Sequence, residues 1–190
     1  MADFFCASYY WFDLLIGLGC PLVLFGLRRL EWLDRRAWRL FWFGAFLGLF
    51  WELPVFMLSK IGSYPIITWD RELPVHFSVF LLAHTLWDGG LFLIGVWLVR
   101  RLCRPPALTR FRWAELVVLI AWGQISSVAV EVSSVLNDGW VYVTGYWWNP
   151  TLLTLQGHPL TLWPQIPWLL APIVFYRAAI KQPTEKNTHR

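Results

Sequence analysis

Glu52, His84, Asp88 and Glu131 are ionisable side chains set inside long apolar stretches of a 190-residue chain, and their placement is its strongest chemical signal. At the centre of a membrane helix a charge costs about 2.5–3.5 kcal/mol on insertion scales, so such a residue needs a partner, a cavity or a task. Counted from the nearest arginine, Glu52 lies 13 residues beyond Arg39, Asp88 lies 12 before Arg100, and Gln124 lies 12 beyond Arg112. At 1.5 Å per residue all three reach a depth of about 18–20 Å, so three helices are expected to meet in one polar layer. His84, four residues from Asp88 on one helix face, and Glu131, seven beyond Gln124, are expected to form a second layer nearer the outer surface. The site is then a cavity opening outward.

His84 and Asp88 have the spacing of an i,i+4 pair, which leaves Glu52 and Glu131 without a base at their depth. A carboxyl group deprived of water and of a base stays neutral, the state from which a general acid donates. Proton transfer is therefore the expected chemistry. A transporter's proton relay is the nearest alternative, although five helices without an internal repeat make a poor alternating-access device. Gln124, Ser127, Glu131 and Ser134 follow at spacings of three, four and three, one stripe of a helix turned to the interior. Gly44, Gly48 and Glu52 are four apart, so a groove or a close helix contact is expected beneath the carboxylate, and Pro54 is expected to bend the helix beyond it. The bland reading of these groups is a set of interhelical hydrogen bonds that fix the bundle.

The chain has 15 tryptophans, more than two interfacial belts need, and Trp51, Trp87, Trp122 and Trp168 fall well inside apolar stretches. Their faces can stabilise a cation by about 2 kcal/mol or more where water is excluded, which suits a reaction passing through a carbocation. Packing and lipid contact are their ordinary roles. One histidine among carboxylates is a weak metal pattern, and no metal or other cofactor is required by the expected reaction.

These residues must be positioned by membrane helices. With 57% apolar residues, 18% aromatics and 15% charges, at a mean hydropathy of +0.49, the composition is that of a membrane protein rather than a soluble domain. Five transmembrane helices are expected over about 11–27, 40–58, 77–99, 113–136 and 160–180, so the fold class is an all-α membrane bundle using residues 1–190 as one domain. Arg28 to Arg39 carries five arginines, Arg100 to Arg112 carries five, and the chain from Arg177 onward carries four basic residues, while the intervening loops hold Lys60 and Arg71. By the positive-inside rule the N-terminus, with Asp3 and Asp13, faces outward, and both arginine-rich loops and the C-terminus face the cytoplasm. The first span lacks the basic region and cleavage site of a removed signal and is expected to remain as an anchor. Lys181 to Arg190 reads as a hydrophilic tail.

The outer loop from Asn137 to Pro159, with Tyr142, Tyr146, Trp147 and Trp148, is expected to lie on the bilayer surface or fold back as a lid. Asn149-Pro150-Thr151 is not a glycosylation sequon, because proline occupies its middle position. Cys6, Cys20 and Cys103 fall in three different layers and imply neither disulfides nor zinc. The formal charge of +4 resides in topology-setting clusters, so nucleic acid is not implied.

Phe50-Trp51-Glu52 in the second span, Gly123-Gln124 in the fourth, Gly157-His158-Pro159-Leu160, and the run from Gln165 through Trp168 to Pro172 resemble the emopamil-binding protein family. In that family the last motif is Asn, then Trp three residues on and Pro four beyond; here Gln165 replaces the Asn. The family's histidine four residues before the second-span acid is Gly48 here, and its third-span acid and its lysine–glutamate–tyrosine loop motif have no match. Members include sterol Δ8–Δ7 isomerases, which protonate a ring double bond and remove a proton from a neighbouring carbon. The resemblance implies that Glu52 belongs to the acid–base pair, that Trp168 faces the cationic intermediate and that Gln165 orients a polar group. Small membrane carotenoid and terpene cyclases, which also place acids inside helical bundles, are similar to about the same degree.

The expected function is a membrane isomerase or cyclase acting by proton transfer on a double bond of a lipophilic isoprenoid or sterol-like substrate. Glu52, His84, Asp88 and Glu131 are its expected catalytic residues; Gln124, Ser127, Gln165, Trp168, Trp51 and Trp87 are expected to contact substrate. The partners are then that small molecule and the membrane lipids, in the endoplasmic reticulum of a eukaryote or the cytoplasmic membrane of a bacterium. The alternative from another class is a non-catalytic membrane protein that binds lipid or pigment or helps assemble a larger complex.

Overall fold

A computed structural model describes residues 2–62, 64–69 and 71–183, with side chains from Ser8 onward. The side chains of Asp3 and Cys6, and the expected tail beyond residue 183, lie outside this description. Five helices dominate: α1 (Ala2–Arg29), α2 (Arg35–Ile61), α3 (Phe77–Leu102), α4 (Trp113–Leu136) and α5 (Gln165–Lys181). The first four are long and apolar enough to cross a membrane. The fifth has 17 residues, about 25 Å of helix.

Two small antiparallel pairs depart from the all-α expectation. In the first, β1 (Ile67–Trp69) pairs with β2 (Trp140–Tyr142), aligning Ile67 with Tyr142 and Trp69 with Trp140. In the second, β3 (Thr151–Leu155) pairs with β4 (His158–Thr161), so the expected fifth span begins instead at Gln165. Residues 158–161 are spent on the ladder, and Pro164 then sets a helical φ of −65° at the helix entrance. A local apolar run cannot distinguish such a strand from the first turn of a helix.

α3 is the central post, packed by α1, α2 and α4, and α5 closes against α4 and α2. Missing side chains permit the closest approaches. A Cβ on Gly44 would meet the Phe92 ring at 2.9 Å, one on Gly48 would overlap the Asp88 carboxylate, and one on Gly17 would overlap the Ala83 backbone. The glycine stripe of α2 thus forms a close seam with α3, and α2 runs on through Pro54 to Ile61. Asp34 starts that helix by accepting from the Ala37 amide, and Gly62 ends it in the left-handed conformation at φ 76°.

At the arginine-rich end, the guanidinium of Arg36 donates to the carbonyls of Leu108 and Ala179, the latter at 2.8 Å. Buried Glu115 accepts from the Leu108 amide at 3.1 Å and from the Tyr176 hydroxyl at 2.9 Å. Leu108 has φ 57°, costly for a residue with a branched side chain, and both its backbone polar groups are held. This knot ties α2, the α3–α4 loop, α4 and α5 together. Cys20 and Cys103 are free thiols.

Candidate functional site

At the opposite end, the helices diverge around a cavity of about 500 Å³ beneath β1 and β2. Every long helix contributes a wall: Asp13 from α1, Trp51 and Glu52 from α2, His84, Trp87 and Asp88 from α3, Ser127 and Glu131 from α4, and Trp168 from α5. All four expected catalytic residues line it, together with Ser127, Trp51, Trp87 and Trp168 from the expected substrate-binding set.

His84 is the centre of a three-residue chain. Its Nε2 lies 2.7 Å from Asp13 Oδ2 and its Nδ1 lies 3.4 Å from Glu52 Oε2. The ring is walled by Phe80, Phe56 and Trp140, with centroids 4.9, 5.4 and 5.6 Å away. The expected pairing of His84 with Asp88 is therefore replaced by pairing with Asp13 and Glu52, and Glu52 does have a base beside it. Asp88 lies a turn deeper, against Gly48, with its Oδ2 buried and without a hydrogen-bond partner among the described residues.

The expected layering shifts by one turn for the same reason. α2 begins at Arg35 and α3 ends at Leu102, so Arg39 is already inside its helix and is not a marker of equal depth. Counted from the helix ends, Glu52 comes level with His84 and Gly48 level with Asp88. Asp13 escapes the sequence reading because the first apolar run was placed from Trp11, whereas α1 begins at Ala2 and carries Asp13 three turns into the helix. The apolar residues Phe4, Phe5, Tyr9 and Tyr10 were the available signal.

On α4, Glu131 receives a hydrogen bond through Oε1 from the Tyr142 hydroxyl at 2.7 Å, while its Oε2 is buried and has no hydrogen-bond partner among the described residues. Tyr142 stands on β2, outside the helices. Burial, and then the facing Glu131 carboxyl, push its phenol well above the ordinary tyrosine range, which keeps it a donor. Ser134 completes the stripe by accepting from the Trp140 amide at 2.8 Å and donating to the Trp140 carbonyl at 3.2 Å, and so pins β2 over the cavity.

Gln124 and Gln165 lie outside the cavity lining. Gln124 Nε2 donates to the Gln165 carbonyl at 3.1 Å, and Gln165 Nε2 donates to Ser127 Oγ at 3.1 Å, a strap between α4 and α5. Trp168 stands 5.6 Å from Trp51 and stacks on Phe92 at 5.3 Å, forming an aromatic floor. Trp122 faces the cavity from α4 and donates through Nε1 to the Leu91 carbonyl at 2.8 Å.

The end of the cavity away from the arginine-rich loops, where the sequence reading expects an opening, is roofed by β1 and β2. Ile67, Trp69, Trp140 and Tyr142 lie across that end, and the Tyr10 hydroxyl holds the carbonyl of Gly139. The lining residues that stay exposed are Phe12 and Ile16 on α1 and Ile125 and Ala129 on α4. α1 and α4 both pack on α3 and make no extensive contact with each other.

No family model, curated protein or solved structure matches this chain. Its chemistry must therefore be read from its own residues. Among the described residues, no group of three His, Cys, Asp or Glu side chains is arranged to hold a metal ion. The arrangement offers a chain of Asp13, His84 and Glu52 side chains in close contact, two further carboxyls each with an oxygen that has no partner among the described residues, and aromatic faces around an apolar space.

Proposed function

We propose that the protein is an integral membrane isomerase or cyclase that moves protons on and off an isoprenoid or sterol-like alkene. The observation that carries this reading is His84 held between two carboxyl groups in the wall of an aromatic cavity. An imidazole held between two carboxyl groups can relay a proton to either of them, and carbon–carbon double bonds yield to such donors when the resulting cation is stabilised.

In this mechanism Glu52 protonates one alkene carbon, leaving positive charge on its neighbour. The faces of Trp168 and Trp51 stabilise that charge. Glu131 or Asp88 takes a proton from an adjacent carbon, restoring a double bond, and His84, oriented by Asp13, relays that proton back to Glu52, which restores the starting state. One proton enters the substrate and one leaves it, so no oxidant or reductant is needed. The resemblance to emopamil-binding proteins supports the same class of chemistry, with Glu52 and Trp168 in the same roles. The arginine distribution supports five spans with the N-terminus outside, so that the cavity lies in the outer half of the membrane.

The test is conversion of isoprenoid and sterol alkenes by the purified protein in deuterated water. Deuterium on a product carbon that does not otherwise exchange, lost in Glu52→Gln, is the expected result. Full turnover by Glu52→Gln sinks the acid role and favours a non-catalytic lipid- or pigment-binding protein.

A further inference from the structure

We infer that the cavity is loaded sideways from the bilayer, through the gap between α1 and α4, by an uncharged lipid. This rests on the cavity being the substrate site, but not on any catalytic step within it. Six side chains frame the gap: Phe12 and Ile16 of α1, Trp87 and Leu91 of α3, and Ile125 and Ala129 of α4. None is ionisable. Phe12, Ile16 and Ile125 are 44%, 49% and 62% exposed while also lining the cavity, so the exposed apolar surface of the bundle continues into the site.

The other approach is shut. Ile67 and Trp140 are buried in the roof, which is tied down by the β1–β2 ladder, by Ser134 on both backbone groups of Trp140, and by Tyr142 on Glu131. The Tyr146 hydroxyl adds a bond to the Pro65 carbonyl at 3.1 Å. A water-borne ligand must break this set of bonds, whereas a molecule dissolved in hydrocarbon needs only to pass apolar side chains. The same apolar mouth selects against charge, because a charged head group would be stripped of water before meeting any partner. About 500 Å³ lies in the range of cavities that enclose a single lipophilic molecule of drug size. The buried free oxygens of Asp88 and Glu131 then meet whatever hydrogen-bond donor that molecule carries.

Cysteine labelling tests the route without knowledge of the substrate. In a variant with Cys6, Cys20 and Cys103 replaced by alanine, Val55→Cys places one thiol on α2, in the cavity wall. In phosphatidylcholine vesicles, pyrene maleimide dissolved in the bilayer should label it, and a permanently charged methanethiosulfonate should react at least tenfold more slowly. Ala129→Trp should slow pyrene maleimide at least tenfold, whereas Leu22→Trp, at a lipid-facing position away from the gap, should leave it unchanged. Ile16→Trp supplies an independent plug, and size-exclusion chromatography identifies any variant that fails to fold. Equal labelling by the charged reagent, or equal rates for folded Leu22→Trp and both folded plugs, overturns the sideways route. Loss of the enzymatic reading through an active Glu52→Gln leaves these labelling rates untouched, so the two failures are distinguishable.

Discussion

His84 draws its importance from what holds it. An imidazole with a carboxyl group on each nitrogen has its ring plane set by its neighbours and a proton partner on both sides, which is what proton shuttling requires. Glu52→Gln keeps size and hydrogen-bonding capacity but cannot transfer a proton, so turnover should fall by about 10²–10⁴-fold, the usual contribution of general acid catalysis, while thermal unfolding stays nearly unchanged. Trp168→Phe keeps an aromatic face but weakens the cation–π attraction, and a milder loss of about tenfold is expected. Tyr142→Phe removes the donor to Glu131 Oε1 and, among the described residues, leaves neither carboxyl oxygen with a partner, at an expected cost of about 1–3 kcal/mol in stability. With the phenol pushed above its unfolded value near 10, this contribution is fully present below that pH and is lost as pH rises beyond it. Absorbance at the tyrosinate band should therefore be the same in wild type and Tyr142→Phe up to about pH 10. Glu52, His84, Asp88 and Glu131 were legible in the sequence as isolated charges within apolar runs. Asp13 and Tyr142 were not, since in the sequence one stands at the start of the first apolar run and the other between two spans, where polar groups are ordinary.

Between helices, the seam of α2 with α3 shows packing overruling local preference. Alanine is a better helix former than glycine by about 1 kcal/mol, yet a Cβ at position 48 overlaps the Asp88 side chain in a buried contact. Gly48→Ala is expected to destabilise the protein by about 1–3 kcal/mol and to lower its unfolding temperature, whereas Gly19→Ala, where nothing stands within 4 Å, should be neutral or stabilising. The glycine spacing had marked this face, but spacing alone does not say which helix comes against it. The Arg36 knot makes the same point at the other end. Arg36→Met leaves the Leu108 carbonyl without its partner and the strained turn without its clasp, and a loss of about 2–4 kcal/mol in denaturant unfolding is expected. From the sequence, Arg36 reads as one cytoplasmic arginine among five, because nothing local distinguishes a clasp from a topology signal.

Across the bundle, chemistry and anchoring are separated. One end carries the arginines and the buried Arg36–Glu115 knot; the other carries the acids, the aromatic walls and the β roof. Single cysteines at Thr109, between α3 and α4, and Thr154, in the β3–β4 hairpin, should react with charged thiol reagents from opposite sides of the membrane; reaction from one side would reject the five-span orientation. The composition and long apolar runs determined by themselves that helices suited to a bilayer would form, because backbone polar groups in hydrocarbon must be satisfied within each segment. They also marked Glu52, His84, Asp88 and Glu131, since charge is visible against an apolar background, but not buried Arg36 and Glu115, which lie at helix ends where charge is ordinary. Only tertiary structure decided the partners: the one-turn register that sets Glu52 beside His84, the entry of Asp13 from α1, the β2 roof that supplies Tyr142, and the gap between α1 and α4. Each depends on how two surfaces distant in sequence fit together, and periodicity reports the face of a helix without reporting what will be pressed against it.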